Sequence, residues 1–207
     1  MRVFLIHGMG RTQVSMALLA RRLRAAGHQT DAFGYFVTKD GLDVIAHKFS
    51  RFIDEKRAAG EPFAVIGHSL GNVITRMALP LEGLARFIML APPNRPPVMA
   101  RALQGNPVFR ALTRDAGQKL LDDAFYASLP VPQVPTLVVA GTGGPRSSWL
   151  PFKGSPSDGV VLVEETRLPG VPHVEVPAIH TFIMNDGEVA KLALGFLQHV
   201  ETLPAPR

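Results

Sequence analysis

A glycine-flanked serine is the part of this sequence best suited to carry out chemistry. Residues 67–71 read Gly-His-Ser-Leu-Gly, after a short apolar run at residues 63–66 and before a helix-like stretch at residues 72–79. This strand–turn–helix setting of G-x-S-x-G is typical of a nucleophile elbow, which presents the serine hydroxyl at the end of a sheet. We therefore predict that Ser69 is a nucleophile; the alternative is an ordinary turn whose serine caps the helix.

A serine hydroxyl is a weak nucleophile at neutral pH, so it needs a neighbouring base. His180 is the predicted base, because it follows the last strand-like segment and precedes the final helix-like segment. The alternative is an ordinary loop histidine. His68 lies inside the motif, but its side chain is expected to point away from the serine. The histidines expected to be surface or boundary residues are His28, His47, His173 and His199.

The base needs an acidic partner that stabilises its protonated form. Asp158 is the predicted partner, because it follows the fifth strand-like segment and lies 22 residues before His180. Its Asp-Gly sequence is also typical of a plain turn, and Glu164 and Glu165 are the fallback acids. The chain order Ser69, Asp158, His180 matches one known order of such triads.

The negative oxygen that forms when a serine attacks a carbonyl group needs hydrogen-bond donors. The backbone N–H of Leu70, the residue after the serine, is the first predicted donor. The loop after the first strand-like segment reads His-Gly-Met-Gly at residues 7–10, and its glycines let the backbone approach a ligand. The backbone N–H of Met9 is the second predicted donor.

Strand-like apolar segments alternate with amphipathic helix-like segments along the chain. The predicted strands are residues 2–7, 29–37, 62–67, 87–91, 136–140 and 171–176. The first predicted helix buries a face that includes Val14, and the last one includes Val200. This alternation predicts an α/β fold with a doubly wound, mostly parallel sheet of about six strands, covered on both faces. Functional loops then follow the carboxyl ends of the strands, where all the candidates above lie.

These motifs together resemble the α/β-hydrolase superfamily, and within it small bacterial lipases and esterases and related deacylase-like hydrolases. The matching segments are residues 7–10, residues 67–71, residues 157–161 and His180. The resemblance spans almost the whole chain. It implies Ser69 as nucleophile, His180 as base, Asp158 as its partner, and Met9 and Leu70 as backbone donors, with no cofactor and no metal. It also implies a minimal form of the fold without the two antiparallel edge strands, a truncation that the small lipases share.

The segment between the fourth and fifth predicted strands, residues 93–134, is longer than a minimal connection. Its helix-compatible pieces lie around residues 98–103, 108–112 and 118–126. Because insertions at this point form a cap in the α/β-hydrolases, the resemblance implies a small helical cap on a single domain of residues 1–207. The candidates to line a substrate groove are Phe109, Leu112, Leu120, Leu121 and Phe125. The alternative is that these residues only anchor the insertion to the core.

Composition and charge exclude several classes of protein. The chain has 207 residues, of which 46% are hydrophobic, no cysteine, and a formal net charge of +5, as expected for a globular protein with a full core. No nucleic-acid-binding motif is present, and no segment reaches the apolar length of a membrane span. Without a signal peptide at the start of the sequence, a cytoplasmic location is expected. The many arginines form either a solvated face or a surface attracted to anionic lipid.

The predicted activity is hydrolysis of a carboxylic ester, of the esterase or lipase type, through an acyl-enzyme on Ser69. The expected substrate is a small, lipid-like acyl ester, with transient contact with an interface but no integral membrane association. The same groups would serve a thioesterase, an amidase or an acyltransferase. A non-catalytic scaffold with the same fold is the remaining alternative.

Overall fold

Six strands form one sheet in which each neighbouring pair runs parallel. The computed structural model describes residues 1–198 of the chain. The strands are β1 (Arg2–Ile6), β2 (Gln29–Phe33), β3 (Phe63–His68), β4 (Leu84–Leu90), β5 (Thr136–Gly141) and β6 (His173–Val176). Their order across the sheet is β2-β1-β3-β4-β5-β6. The predicted doubly wound sheet of about six strands is therefore confirmed.

Helices cover both faces of this sheet. They are α1 (Ala17–Ala25), α2 (Leu42–Lys56), α3 (Leu70–Met77), α4 (Val98–Leu103), α5 (Pro107–Lys119), α6 (Asp123–Ser128), α7 (Val163–Thr166) and α8 (Gly187–Gln198). Two short 3-10 helices span Gln13–Met16 and His180–Asn185. Residues of α1 and α8 pack on one face of the sheet, and residues of α2 and α3 pack on the other. Among residues 1–198, no helix is both long enough and apolar enough to cross a membrane.

Alternation along β1 shows how the core forms on both faces. Val3 and Leu5 belong to the cluster that contains α1 and α8, whereas Phe4 and Ile6 belong to the cluster that contains α2 and α3. All four side chains are fully buried. Because both faces of a parallel sheet are covered by helices, its central strands read as continuous apolar runs. This is why those runs predicted the strands.

The second strand is shorter than predicted and ends at Phe33. Phe33 pairs with Ile6, the last residue of β1, so the chain beyond it has no neighbouring strand to continue the ladder. Tyr35 and Val37 are nevertheless buried in the core.

The first helical segment buries Leu19 and Leu23 as predicted, but Val14 departs from the prediction. Val14 is 72% exposed, and Met16 is fully buried instead. Residues 13–16 form a 3-10 helix, whose three residues per turn put their side chains out of phase with an α-helix. At the other end of the chain, His199 and Val200 lie outside the described residues, as does the rest of the predicted domain beyond residue 198.

The insertion after β4 contains three helices. The helix α4 matches the predicted residues 98–103. The helix α5 is longer than predicted and contains non-helical backbone at Arg114, with φ of 48° and ψ of −130°. The third predicted helical segment, residues 118–126, is not continuous, because residues 120–122 separate α5 from α6. Asp122 begins α6 by accepting a hydrogen bond from the backbone N–H of Ala124 at 2.8 Å.

Candidate active site

Ser69 lies in a sharp turn between β3 and α3. Its φ of 51° and ψ of −122° are strained for a residue with a side chain. A Cβ on Gly67 would lie 2.3 Å from the side-chain oxygen of Asn72, and a Cβ on Gly71 would lie 2.6 Å from the carbonyl oxygen of Ile6. The turn therefore depends on both glycines of the motif.

Ser69, His180 and Asp158 form one hydrogen-bonded chain. The Oγ of Ser69 lies 3.0 Å from the Nε2 of His180, and the Nδ1 of His180 lies 2.6 Å from the Oδ2 of Asp158. Asp158 and His180 are buried, and Ser69 is half-buried. The three residues follow the carboxyl ends of β3, β5 and β6, so the parallel sheet brings together side chains up to 111 positions apart.

These hydrogen bonds determine which nitrogen of the His180 ring carries the proton. A carboxylate only accepts hydrogen bonds, so Nδ1 is protonated and donates to Asp158. Nε2 is then unprotonated and accepts the hydrogen bond of the Ser69 hydroxyl. This is the tautomer that a general base for the serine requires.

Asp158 also forms the turn that its Asp-Gly sequence predicts. Its Oδ1 accepts hydrogen bonds from the backbone N–H groups of Val160 and Val161, at 2.9 and 2.7 Å. Its backbone carbonyl accepts from the backbone N–H of His180 at 2.9 Å. The two interpretations of Asp158 are compatible, because the turn uses one carboxylate oxygen and the other faces His180.

Both fallback acids have other partners. Glu164 is exposed and forms a salt bridge with Arg167. Glu165 is buried and accepts hydrogen bonds from the backbone N–H groups of Leu162 and Val98. Burial raises the pKa of the Glu165 carboxyl group. In the described part of the chain, no group of three or more His, Cys, Asp or Glu side chains is arranged to hold a metal ion.

The loop that carries the second predicted oxyanion donor passes directly beside the serine. A Cβ added to Gly8 would lie 3.0 Å from the Cβ of Ser69. Met9 follows Gly8 and lines a cavity at this edge of the sheet. Leu70 is the first residue of α3, where a backbone N–H has no acceptor within the helix. Both predicted donors therefore belong to backbone that adjoins Ser69.

Tyr35 holds this loop in position. Its backbone N–H donates to the Nε2 of His7 at 3.3 Å, and its hydroxyl donates to the carbonyl oxygen of His7 at 2.9 Å. The Nδ1 of His7 donates to the carbonyl oxygen of Gly8 at 2.8 Å. The two rings stack, with centroids 4.3 Å apart. Burial lowers the pKa of His7, which favours the neutral ring that these hydrogen bonds require.

His68 has a contact that sequence reasoning missed. Its ring lies against the ring of His180, with centroids 4.9 Å apart, a contact that the expected direction of the side chain, away from the serine, does not specify. The Nε2 of His68 donates to the carbonyl oxygen of His180 at 3.0 Å. Burial lowers the pKa of His68 well below its usual value, so the ring is neutral. No sequence signal reveals this contact, because it depends on how the loop after β6 packs over the turn.

The insertion residues predicted to bind substrate lie in three different environments. Phe109 and Leu112 line a cavity of about 370 Å³. Leu121 lines a second cavity of about 180 Å³, which Phe109 also borders. Leu120 and Phe125 pack against the hydrophobic core, as the anchoring alternative describes.

Solved structures with the same fold include several kinds of hydrolase. The mature form of a lipase from Bacillus licheniformis is 16% identical with a TM-score of 0.71, and the match covers 95% of this chain and 91% of the lipase. A phospholipase from Legionella pneumophila is 19% identical with a TM-score of 0.71, and this chain covers only 59% of it, using 95% of its own length. A thioesterase domain from the curacin biosynthetic pathway is 17% identical with a TM-score of 0.65, over 96% of this chain and 91% of that domain. These similarities establish the fold.

Comparison of sequences identifies the family. Among curated proteins, no significant match was found. A profile of the alpha/beta hydrolase family matches residues 3–198, which is nearly the whole chain. This match agrees with the six-stranded parallel sheet and with the position of the Ser69 turn after β3. The chain belongs to the alpha/beta hydrolase family.

Proposed function

We propose that this protein hydrolyses carboxylic esters through an acyl-enzyme formed on Ser69. The observation that carries the proposal is the chain of hydrogen bonds from Asp158 through His180 to the Ser69 hydroxyl, at 2.6 and 3.0 Å. The similarity of the fold to a lipase and to a carboxyl esterase is further support. Ser69 is the nucleophile, His180 the general base, and Asp158 the group that orients and stabilises His180.

The first half of the reaction forms the acyl-enzyme. The Oγ of Ser69 attacks the carbonyl carbon of the ester while the Nε2 of His180 takes the hydroxyl proton. Asp158 then faces a positively charged imidazolium and stabilises it. As the tetrahedral intermediate collapses, the bond to the alcohol oxygen breaks, and His180 gives its proton to the departing alcohol.

The second half of the reaction releases the acid. Water occupies the position of the departed alcohol, and the Nε2 of His180 removes one of its protons. The water oxygen attacks the acyl carbonyl carbon, and the bond to Ser69 Oγ breaks. His180 then returns its proton to Ser69, which restores the starting state.

Both tetrahedral intermediates carry a negative oxygen. In this proposal the backbone N–H groups of Met9 and Leu70 donate hydrogen bonds to it. The N-terminus of α3, directly after Ser69, adds a favourable electrostatic field for negative charge. Loss of one such donor typically costs about 10²–10³ in rate.

The proposed substrate is a small, lipid-like acyl ester. In this proposal the insertion, residues 93–134, acts as a small cap. Its apolar side chains Phe109 and Leu112, both in α5, line a cavity and contact the substrate there. We propose a cytoplasmic enzyme that contacts a lipid interface only transiently. The proposed steps need no cofactor, because His180 and the protein backbone supply the proton transfers and the charge stabilisation.

Thioester hydrolysis is the second candidate, because the chain shares its fold with a thioesterase domain. A thioester carbonyl is open to attack by the same serine, so the choice depends on relative rates. A panel of acyl esters, acyl thioesters and acyl anilides measures those rates directly. Higher kcat/KM for thioesters or anilides than for matched esters would replace the ester proposal.

A fluorophosphonate probe tests the nucleophile. We expect wild-type protein to be labelled, and we expect Ser69→Ala to abolish both labelling and turnover of a nitrophenyl ester. The matched control is Ser148→Ala, because Ser148 is an exposed serine in another loop. Labelling of Ser69→Ala at the wild-type rate would remove Ser69 from its role. Wild-type protein that neither reacts with the probe nor hydrolyses any acyl compound would support the non-catalytic scaffold instead.

A further inference from the structure

A cavity lies beside residues 7–12, the loop that carries Met9, which we call the oxyanion loop. Its volume is about 370 Å³. The walls come from residues 9–12 of the oxyanion loop, from residues 35–38 after β2, and from Phe109, Leu112 and Thr113 of α5. The loop next to Ser69 therefore meets the insertion across this space. A ligand in the cavity would contact all three segments.

The inner walls of the cavity offer apolar surface. The Tyr35 hydroxyl already donates to the carbonyl oxygen of His7 at 2.9 Å, and the Thr113 hydroxyl donates to the carbonyl oxygen of Phe109 at 2.8 Å. The Nη2 of Arg11 donates to the carbonyl oxygen of Thr181 at 2.7 Å, whereas its buried Nε has no hydrogen-bond partner among the described residues. Because the two hydroxyl groups have protein partners and most of the remaining walls are apolar side chains, the cavity favours an apolar occupant over one that needs hydrogen bonds.

The cavity begins close to the reacting serine. Gly8 is packed against Ser69, since a Cβ at Gly8 would lie 3.0 Å from the Ser69 Cβ. Met9, the next residue, is already part of the cavity wall, and consecutive Cα atoms are only about 3.8 Å apart. An acyl group attached to Ser69 can therefore extend from the oxyanion donors directly into this space.

Phe109 separates this cavity from a second one. It borders both the cavity of about 370 Å³ and the cavity of about 180 Å³ that Leu121 and Gly117 line. Phe109 is half-buried and borders both cavities together with Thr113, and polar side chains such as Arg110 and Gln118 also line the second cavity. Truncation of the Phe109 ring should therefore open the larger cavity toward the smaller one.

We propose that the larger cavity binds the acyl chain of the ester, and that Phe109 sets the longest chain that fits. This inference rests on the proposed ester hydrolysis at Ser69. Ligand cavities in proteins range over about 300–1,000 Å³, so this one lies at the small end and accommodates one acyl chain of short to medium length. The preferred substrates are esters with a single uncharged, unbranched acyl chain.

A series of nitrophenyl esters from acetyl to palmitoyl tests this assignment. We expect kcat/KM of the wild type to rise about fourfold for each added methylene, the fold-change that corresponds to about 0.8 kcal/mol per buried CH₂. The rise should stop when the chain reaches Phe109. In Phe109→Ala the rise of kcat/KM should continue to longer acyl chains than in the wild type. In Phe109→Leu the rise should also continue past the wild-type limit, but over fewer added methylenes. Leu103→Ala is the matched control, because Leu103 is an apolar residue of the insertion outside both cavities.

A variant that obstructs the cavity provides the opposite test. Thr38 is an exposed residue of the cavity wall, so Thr38→Trp should shift the optimum of kcat/KM to shorter acyl chains. If the rate stops rising at the same chain length in wild type, Phe109→Ala and Phe109→Leu, the assignment of the cavity is wrong while ester hydrolysis stands. If the wild type hydrolyses no ester of the series, the proposed function fails together with this inference.

Discussion

The Nε2 of His68 donates a hydrogen bond to the carbonyl oxygen of His180, at 3.0 Å. His68 directly precedes Ser69, so this bond joins the turn that carries the proposed nucleophile to the loop that carries the proposed base. Both histidines are buried, at 2% and 8% exposure, so bulk water does not compete for the bond. We infer that His68 is a positioning residue that keeps His180 in reach of Ser69.

Loss of the His68 donor should lower kcat rather than raise KM. We expect His68→Leu to reduce kcat by about 10–100-fold, because small displacements of a catalytic group carry costs of this order. His68→Gln keeps a side-chain N–H that can donate to the carbonyl oxygen of His180, so its kcat should stay within a few-fold of the wild-type value. Steady-state kinetics on one ester measures both variants. Equal losses of kcat in the two variants would show that the hydrogen bond is not what His68 contributes.

The role of Asp158 can be tested by a substitution that removes its negative charge but keeps the turn that its side chain forms. In Asp158→Asn the Oδ1 acceptor for Val160 and Val161 is kept, but the amide N–H faces His180 and favours the wrong tautomer. We expect kcat to fall about 10⁴-fold with a melting temperature close to that of the wild type. Asp158→Ala should also lose about 1–3 kcal/mol of stability, because two backbone N–H groups lose their acceptor. An asparagine variant with full activity would contradict the proposed role.

Gly71 should tolerate no side chain. A Cβ there would lie 2.6 Å from the carbonyl oxygen of Ile6 and 2.7 Å from that of His7, and both atoms belong to backbone that cannot rotate away. We expect Gly71→Ala to cost about 1–3 kcal/mol of unfolding free energy, measured by urea denaturation. Gly105→Ala is the matched control, since nothing lies within 4 Å of its Cβ position. A similar stability for the two variants would contradict this interpretation of the turn.

The stability of the protein should decrease as the solution becomes acidic. Burial lowers the pKa of His68 well below its usual value of 6.5, so the unfolded chain takes up a proton at this residue before the folded chain does. The free energy of unfolding therefore falls as the pH decreases below about 6.5, by up to about 1.4 kcal/mol per pH unit for one such group. Urea denaturation at pH 7, 6 and 5 measures the slope.

Replacement of His68 shows how much of this pH dependence it causes. We expect His68→Gln to have a shallower decrease in stability between pH 7 and pH 5 than the wild type. The remaining decrease would come partly from His7, whose pKa burial also lowers. His47→Gln is the control for the loss of an exposed histidine. A slope unchanged by His68→Gln would mean that other groups cause the acid sensitivity.

Local patterns allowed the sheet and the three central residues of the candidate site to be predicted. Continuous apolar runs identified the strands because a parallel sheet covered on both faces leaves no polar side on them. Gly67 and Gly71 identified the turn because close backbone contacts exclude a side chain at both positions. Since the loops of a parallel sheet meet at the carboxyl ends of its strands, Asp158 and His180 could be selected because each follows a predicted strand.

Long-range packing decided what the sequence left open. The direction of the His68 ring depends on the position of the loop after β6, 112 residues further along the chain. The division of the insertion into cavity-lining Phe109 and core-packed Phe125 likewise depends on how α5 and α6 meet the sheet. Residue type and spacing determined which groups could react. Only the tertiary structure decided which side chains hold those groups in place, because contacts between distant segments carry no periodic signal in the sequence.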